Sequence, residues 1–129
     1  MIVKKEIRLQ VYNKFGGKCA YTGKPLGDDW PIDHKTPKYM REFLLNFDLD
    51  GIDNLYPALK IVNHYKRSLD IDDFRRYMTT FHKRLAKLPK NPYAPNTIRR
   101  KEYMYKIAEA FGITPDKPFC GKFYFETLK

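Results

Sequence analysis

At 129 residues, 43% hydrophobic and 16% aromatic, the chain has the size and composition of one folded domain and is not a disordered segment. Twenty-five basic against fifteen acidic residues leave a formal charge of +10, which points to a polyanion or an anionic surface as partner. Only Cys19 and Cys120 are cysteines, no apolar run is long enough to span a bilayer, and the start lacks the apolar stretch of a signal peptide. A disulfide scaffold and a four-cysteine zinc site are thereby excluded, and a reducing cytoplasm with no membrane contact is the expected setting.

Taken in order, residues 4–15 set Ile7, Val11 and Phe15 at helical spacing, and Gly16-Gly17 ends that helix. Residues 18–26 (KCAYTGKPL) contain Gly23 and Pro25 and read as a turn or short hairpin. Residues 30–35 (WPIDHK) form a short strand candidate, with Trp30-Pro31 packing its base. Residues 36–53 show no clean period, although Tyr39 to Phe47 fits one or two helical turns. Residues 55–62 (LYPALKIV) read as a second short strand or a turn into a helix, which is expected from Asn63 to about Ser68. Asp70 then caps a long helix with Phe74, Tyr77, Met78, Phe81 and Leu85 on one stripe and Lys83, Arg84 and Lys87 in its last turns. After a proline-rich loop from Pro89 to Pro95, Asn96 or Thr97 opens a helix to about Phe111, with Ile98, Tyr105, Ala108 and Phe111 inward and Gly112 as stop. The tail FCGKFYFETL is expected to be a short aromatic strand docked on the body. Both cysteines are expected to be buried small hydrophobes, and His82 a surface residue.

Charge is unevenly spread. Residues 27–54 carry seven acids and three bases, whereas residues 74–106 carry ten bases and one acid, or +9. A solvated acidic loop explains the first run; so does a site that needs carboxylates for a cation beside bases for a polyanion. Arg75-Arg76 and Arg99-Arg100-Lys101 read either as solvated faces or as a saddle for DNA.

Three clusters stand out: Ile32-Asp33-His34, Asp53-Asn54-Leu55 and Asn63-His64-Tyr65-Lys66. Alone, each has a plain reading, since Asn54 suits a turn and Asn63 a helix cap. Together they supply hard oxygen ligands of the kind Mg2+ takes and a base that titrates near neutrality. On a strand, Asp33 and His34 face opposite ways. On a helix, Lys66 shares a face with Asn63.

Residues 8–67 resemble the HNH endonucleases, whose core is the ββα-metal fold. The resemblance runs from Arg8 and Val11 through Cys19-Ala20-Tyr21-Thr22-Gly23-Lys24-Pro25-Leu26 to Ile32-Asp33-His34, Asp53-Asn54-Leu55 and Asn63-x-x-Lys66. It implies an α+β core inside the single domain that the chain length suggests over residues 1–129, the extension beyond residue 68 being read from its own helical pattern. The ββα-metal core, a short β-hairpin plus helix over about 18–68, would follow an N-terminal helix. A C-terminal helical extension over about 69–129 would end in the aromatic strand. It implies His34 as general base, Asn54 as brace of the loop that keeps the histidine in register, and Asp33 and Asn63 as ligands of one divalent metal, Mg2+ or Mn2+. His64 is an alternative ligand. Lys66, Arg67, Arg75 and Arg76 are expected on the DNA backbone. The implied activity is metal-dependent hydrolysis of DNA phosphodiester bonds, leaving 5′-phosphate and 3′-hydroxyl ends, in a phage or mobile-element setting. A homodimer or a phage or host protein is a possible partner. The sequence departs from the family where two CxxC pairs hold a structural zinc: Thr22 follows Cys19, and Leu59 and Val62 replace the second pair, so no structural zinc is expected. An inactive nucleic-acid-binding module on the same fold is the alternative reading, and a basic RNA-binding protein a third.

Overall fold

The computed structural model describes residues 4–42 and 48–128. Among these are five α-helices and one two-stranded antiparallel sheet, an α+β arrangement. The chain forms two compact units, Met1–Phe74 with Phe123–Lys129, and Arg75–Lys122.

The first unit opens with α1 (Lys5–Lys14), of which only Val11 is buried; Ile7, expected inward, is 36% exposed. Residues 18–25 form a tight turn closed by a Lys18–Pro25 bridge, with the Cys19 and Lys24 backbones joined at 2.8 Å. Two strands follow, β1 (Ile32–His34) and β2 (Leu55–Pro57), with Asp33 opposite Tyr56 and His34 opposite Leu55. Strands of three residues cannot hold themselves together. Neighbouring segments fix them. The Ala20 N–H donates to Pro57 O at 2.8 Å, the Arg8 guanidinium lies over the Trp30 ring and donates to its carbonyl, and Lys14 Nζ donates to Ile52 O at 2.9 Å. Helix α2 (Lys60–Lys66) begins three residues before the expected start, because the Cys19 thiol accepts the Leu59 N–H at 3.4 Å and turns the chain there. The expected turns from Tyr39 to Phe47 are a 3-10 turn at Lys38–Glu42; residues 43–47 lie outside the described residues.

The tail is not a strand. Tyr124–Thr127 is a 3-10 turn, closed by the Glu126 carboxylate accepting the Phe123 N–H at 3.0 Å. It docks as expected, with Tyr124 N–H and Phe125 N–H donating to Tyr21 O and Ala20 O at 3.1 and 2.8 Å. Phe123 stacks on Phe74 with centroids 5.1 Å apart, and Tyr21 meets Phe74, Phe123 and Phe125 edge-on. This aromatic cluster is the centre of the first unit's core.

The long helix expected after Asp70 breaks into α3 (Ile71–Thr79) and α4 (Phe81–Ala86). Two adjacent threonines compete with the helix for its own carbonyls. Thr79 Oγ1 donates to Arg75 O at 2.8 Å and Thr80 Oγ1 to Tyr77 O at 3.3 Å, while Arg84 reaches back to Tyr77 O at 2.7 Å. Of the stripe, Phe74, Met78, Phe81 and Leu85 are buried and Tyr77 is exposed. Helix α5 (Pro95–Phe111) buries Met104, Ile107 and Ala108; of the expected stripe Ala108 is buried, Ile98 and Phe111 are half-buried and Tyr105 is 43% exposed. Gly112 ends it in the left-handed region at φ 71°, as its position predicts. Cys19 is buried, but Cys120 is exposed, its thiol donating to Lys122 O at 3.2 Å.

Candidate active site

The alternation of β1 separates its two functional side chains. Asp33 turns inward and is buried. Tyr21 OH donates a short hydrogen bond to its Oδ2, and the ammonium of Lys66, fully buried, lies 3.0 Å from the same oxygen. Lys66 Nζ also donates to His34 O at 3.3 Å, so one side chain of α2 fixes both the carboxylate and the backbone of β1. Burial pushes the Asp33 carboxyl above its ordinary value, against the opposing pull of Lys66 and the Tyr21 hydrogen bond. Burial also pushes the Tyr21 phenol well up, and the Asp33 carboxylate adds to it.

His34 faces the other way. Its Nε2 lies 3.1 Å from Asp50 Oδ1. A carboxylate there holds a proton on Nε2 and leaves the lone pair of the neutral ring on Nδ1. His34 and Asp33 wall a cleft of about 230 Å³ with Ile32, Pro37, Lys38, Tyr39, Arg67 and Ser68. Two of these are cations. Arg67 ends α2 at φ 55° and ψ −131°, a conformation suited to glycine. Such backbone strain costs on the order of 1–3 kcal/mol and gathers at functional sites.

Asn54 is buried and spends its amide on one loop. Its Nδ2 donates to Thr36 O at 3.0 Å and Leu49 O at 2.8 Å, and its Oδ1 accepts the Thr36 N–H at 2.8 Å. The Lys35 N–H donates to Asn54 O at 3.0 Å. The segment leaving His34 is thus tied to the segment entering β2.

Other expected residues fall as follows. Asn63 lies about one turn before Lys66 on α2 and is half-buried. His64 is exposed and turned about 160° from Lys66 around the helix axis, which follows from about 3.6 residues per turn. Lys66 is not a surface cation available to a phosphate; burial and the Asp33 pair claim it. Arg75 donates to Gly121 O at 2.8 Å inside the second unit, and Arg76 is exposed there.

Asp33 and the Asn63 amide are hard oxygen donors of the kind Mg2+ or Mn2+ takes. Tyr21 and Lys66 both meet Oδ2 of Asp33, which leaves Oδ1 of that carboxylate for a cation. Among the described residues no group of three His, Cys, Asp or Glu side chains could hold a metal, so water and phosphate oxygens would complete the shell. The sequence reading missed Tyr21 and Asp50. The acidic excess of residues 27–54 contained the signal for Asp50; none marked Tyr21, which reads as core.

Comparison with protein-family models, curated proteins and solved structures gives no match for this chain.

Proposed function

We propose that the chain is a metal-dependent endonuclease of the HNH type, hydrolysing DNA phosphodiester bonds at the cleft of the first unit. One observation carries this reading: His34 and Asp33 stand on opposite sides of one strand yet wall one basic cleft, with Asn54 locking the loop that leaves His34. The hairpin β1–β2 followed by α2 is the order a ββα-metal core requires.

His34 Nδ1 takes a proton from water while Asp50 holds Nε2. The resulting hydroxide attacks phosphorus, the bond to the 3′-oxygen breaks, and that oxygen takes a proton from solvent water to leave as a hydroxyl. Lys38 and Arg67 offset the phosphate charge across the cleft. Asp33 and Asn63 would hold the divalent ion, which when bound supplies Lewis-acid stabilisation of the charge developing on the phosphate. Lys66 opposes the effect of burial on Asp33 and aims its carboxylate.

The test is conversion of supercoiled plasmid in EDTA, Mg2+ or Mn2+. Open-circle or linear product only with metal, reduced on the order of 10²–10⁴-fold in His34→Ala, is expected. Conversion by His34→Ala at the parent rate overturns the assignment. The Lys66 clamp on Asp33 favours one alternative, a binding module on the same fold. A salt-sensitive gel shift without conversion in any metal would establish it.

A further inference from the structure

The charge of this protein is not shared between its two units. The first holds thirteen basic and twelve acidic residues, +1; the second, Arg75–Lys122, holds twelve basic and three acidic residues, +9. Nearly all of the polyanion-attracting field therefore comes from the unit that lacks His34 and Asp33. Nine of its twelve cations are exposed. Lys83, Lys87, Lys90, Arg100 and Lys106 form no ion pair among the described residues. So dense an excess destabilises a compact unit by self-repulsion, a cost that binding a polyanion offsets.

The exposed large apolar side chains indicate which polyanion. In this unit they are three tyrosines: Tyr77, whose ring already carries the Arg84 guanidinium 4.0 Å from its centroid, Tyr105, about two-fifths exposed, and Tyr93, 93% exposed in the loop after Lys90. A surface that enters an anionic membrane exposes Trp, Phe or Leu beside its cations. Tyrosines among lysines suit nucleic acid, because phosphate and sugar oxygens accept hydrogen bonds from a phenol as well as from an ammonium.

We propose that Arg75–Lys122 is the nucleic-acid-binding unit of this protein, which holds the phosphate backbone and tethers it to the unit that carries the cleft. The identity of the polyanion rests on the nuclease reading; the division of labour rests on charge and exposure alone. Two chain crossings, at 74/75 and 122/123, join the units, so a strand captured by one is presented to the other at raised local concentration.

The test uses the full chain in EDTA, with a labelled DNA duplex of mixed sequence read by fluorescence anisotropy across a salt series. One variant carries Lys→Gln at Lys83, Lys87, Lys90 and Lys106; a second carries it at Lys4, Lys5, Lys18 and Lys24 of the first unit; a third carries Lys→Arg at the first four positions. The first variant is expected to flatten the slope of log affinity against log salt by about 3–4, since each phosphate contact contributes about 0.9. The second should flatten it by under about one contact's worth, and the third should match the parent. Equal loss in the first two variants, or an unchanged slope in the first, overturns the proposal. So does competition by polyglutamate or by anionic phospholipid vesicles as effective as unlabelled DNA at equal charge. Because no metal is present, failure of the nuclease reading would show in plasmid conversion and not here.

Discussion

Lys66 carries its charge where no water reaches it, and it does so against Asp33 and the His34 carbonyl. Such a pair adds little net stability, but breaking it leaves one buried charge uncompensated. Lys66→Met is therefore expected to cost about 3–5 kcal/mol, and Asp33→Asn combined with it to recover most of that loss, as read by urea unfolding. Tyr21 gives the same cluster a pH dependence. Its phenol is held above the ordinary 10.0 in the folded protein, so the folded chain keeps a proton that the unfolded chain releases. That stabilisation is present in full below pH 10.0 and is lost as pH rises beyond it; Tyr21→Phe should flatten the fall of the urea midpoint in this range. Arg67 belongs to the same scale. Arg67→Gly relieves a strained backbone and removes a cleft cation, so it should stabilise the fold by about 1 kcal/mol while lowering plasmid conversion.

At the scale of elements, the loop between the strands depends on one amide. Asn54→Ala removes three hydrogen bonds at a buried position, worth roughly 1 kcal/mol each. It should lower both the unfolding midpoint and plasmid conversion, since the loop bears Asp50 as well as leading from His34. This brace was legible only through the family resemblance, which implies a loop-bracing asparagine at Asn54; by itself the residue reads as part of a turn. The short strands were legible too, from apolar residues bounded by Pro31 and Pro37 on one side and closed by Pro57 on the other. The break at Thr80 was not. Periodicity runs through it without interruption, from Phe74 and Met78 to Phe81 and Leu85, and only the hydroxyl contacts of Thr79 and Thr80 reveal why the helix stops. The tail defeated the strand reading for a similar reason: aromatic content predicts burial, and both a strand and a 3-10 turn deliver it.

For the molecule as a whole, packing is expected to do what a structural zinc does in the family this sequence resembles. The Cys19 thiol sits against the Leu59 amide at the start of α2, and the rings of Tyr21, Phe74, Phe123 and Phe125 close the centre behind it. The melting temperature should accordingly be the same with and without EDTA, as measured by calorimetry; a fall in EDTA would reveal a metal that the fold needs. The sequence contained the charge imbalance but not its partition. A run over 74–106 gave no sign that these residues close on themselves as a unit from Arg75 to Lys122.

That closure sets an order of events during synthesis. The second unit is complete once Lys122 has been added, whereas the first, although most of it is made earlier, still lacks Phe123 and Phe125. Tyr21 then has neither ring against it, and the strand that bears His34 rests on an unfinished core. A nascent chain halted at Lys122 would hold the basic unit entire and the cleft unsupported, so the first unit's core closes only when Phe123 and Phe125 reach it.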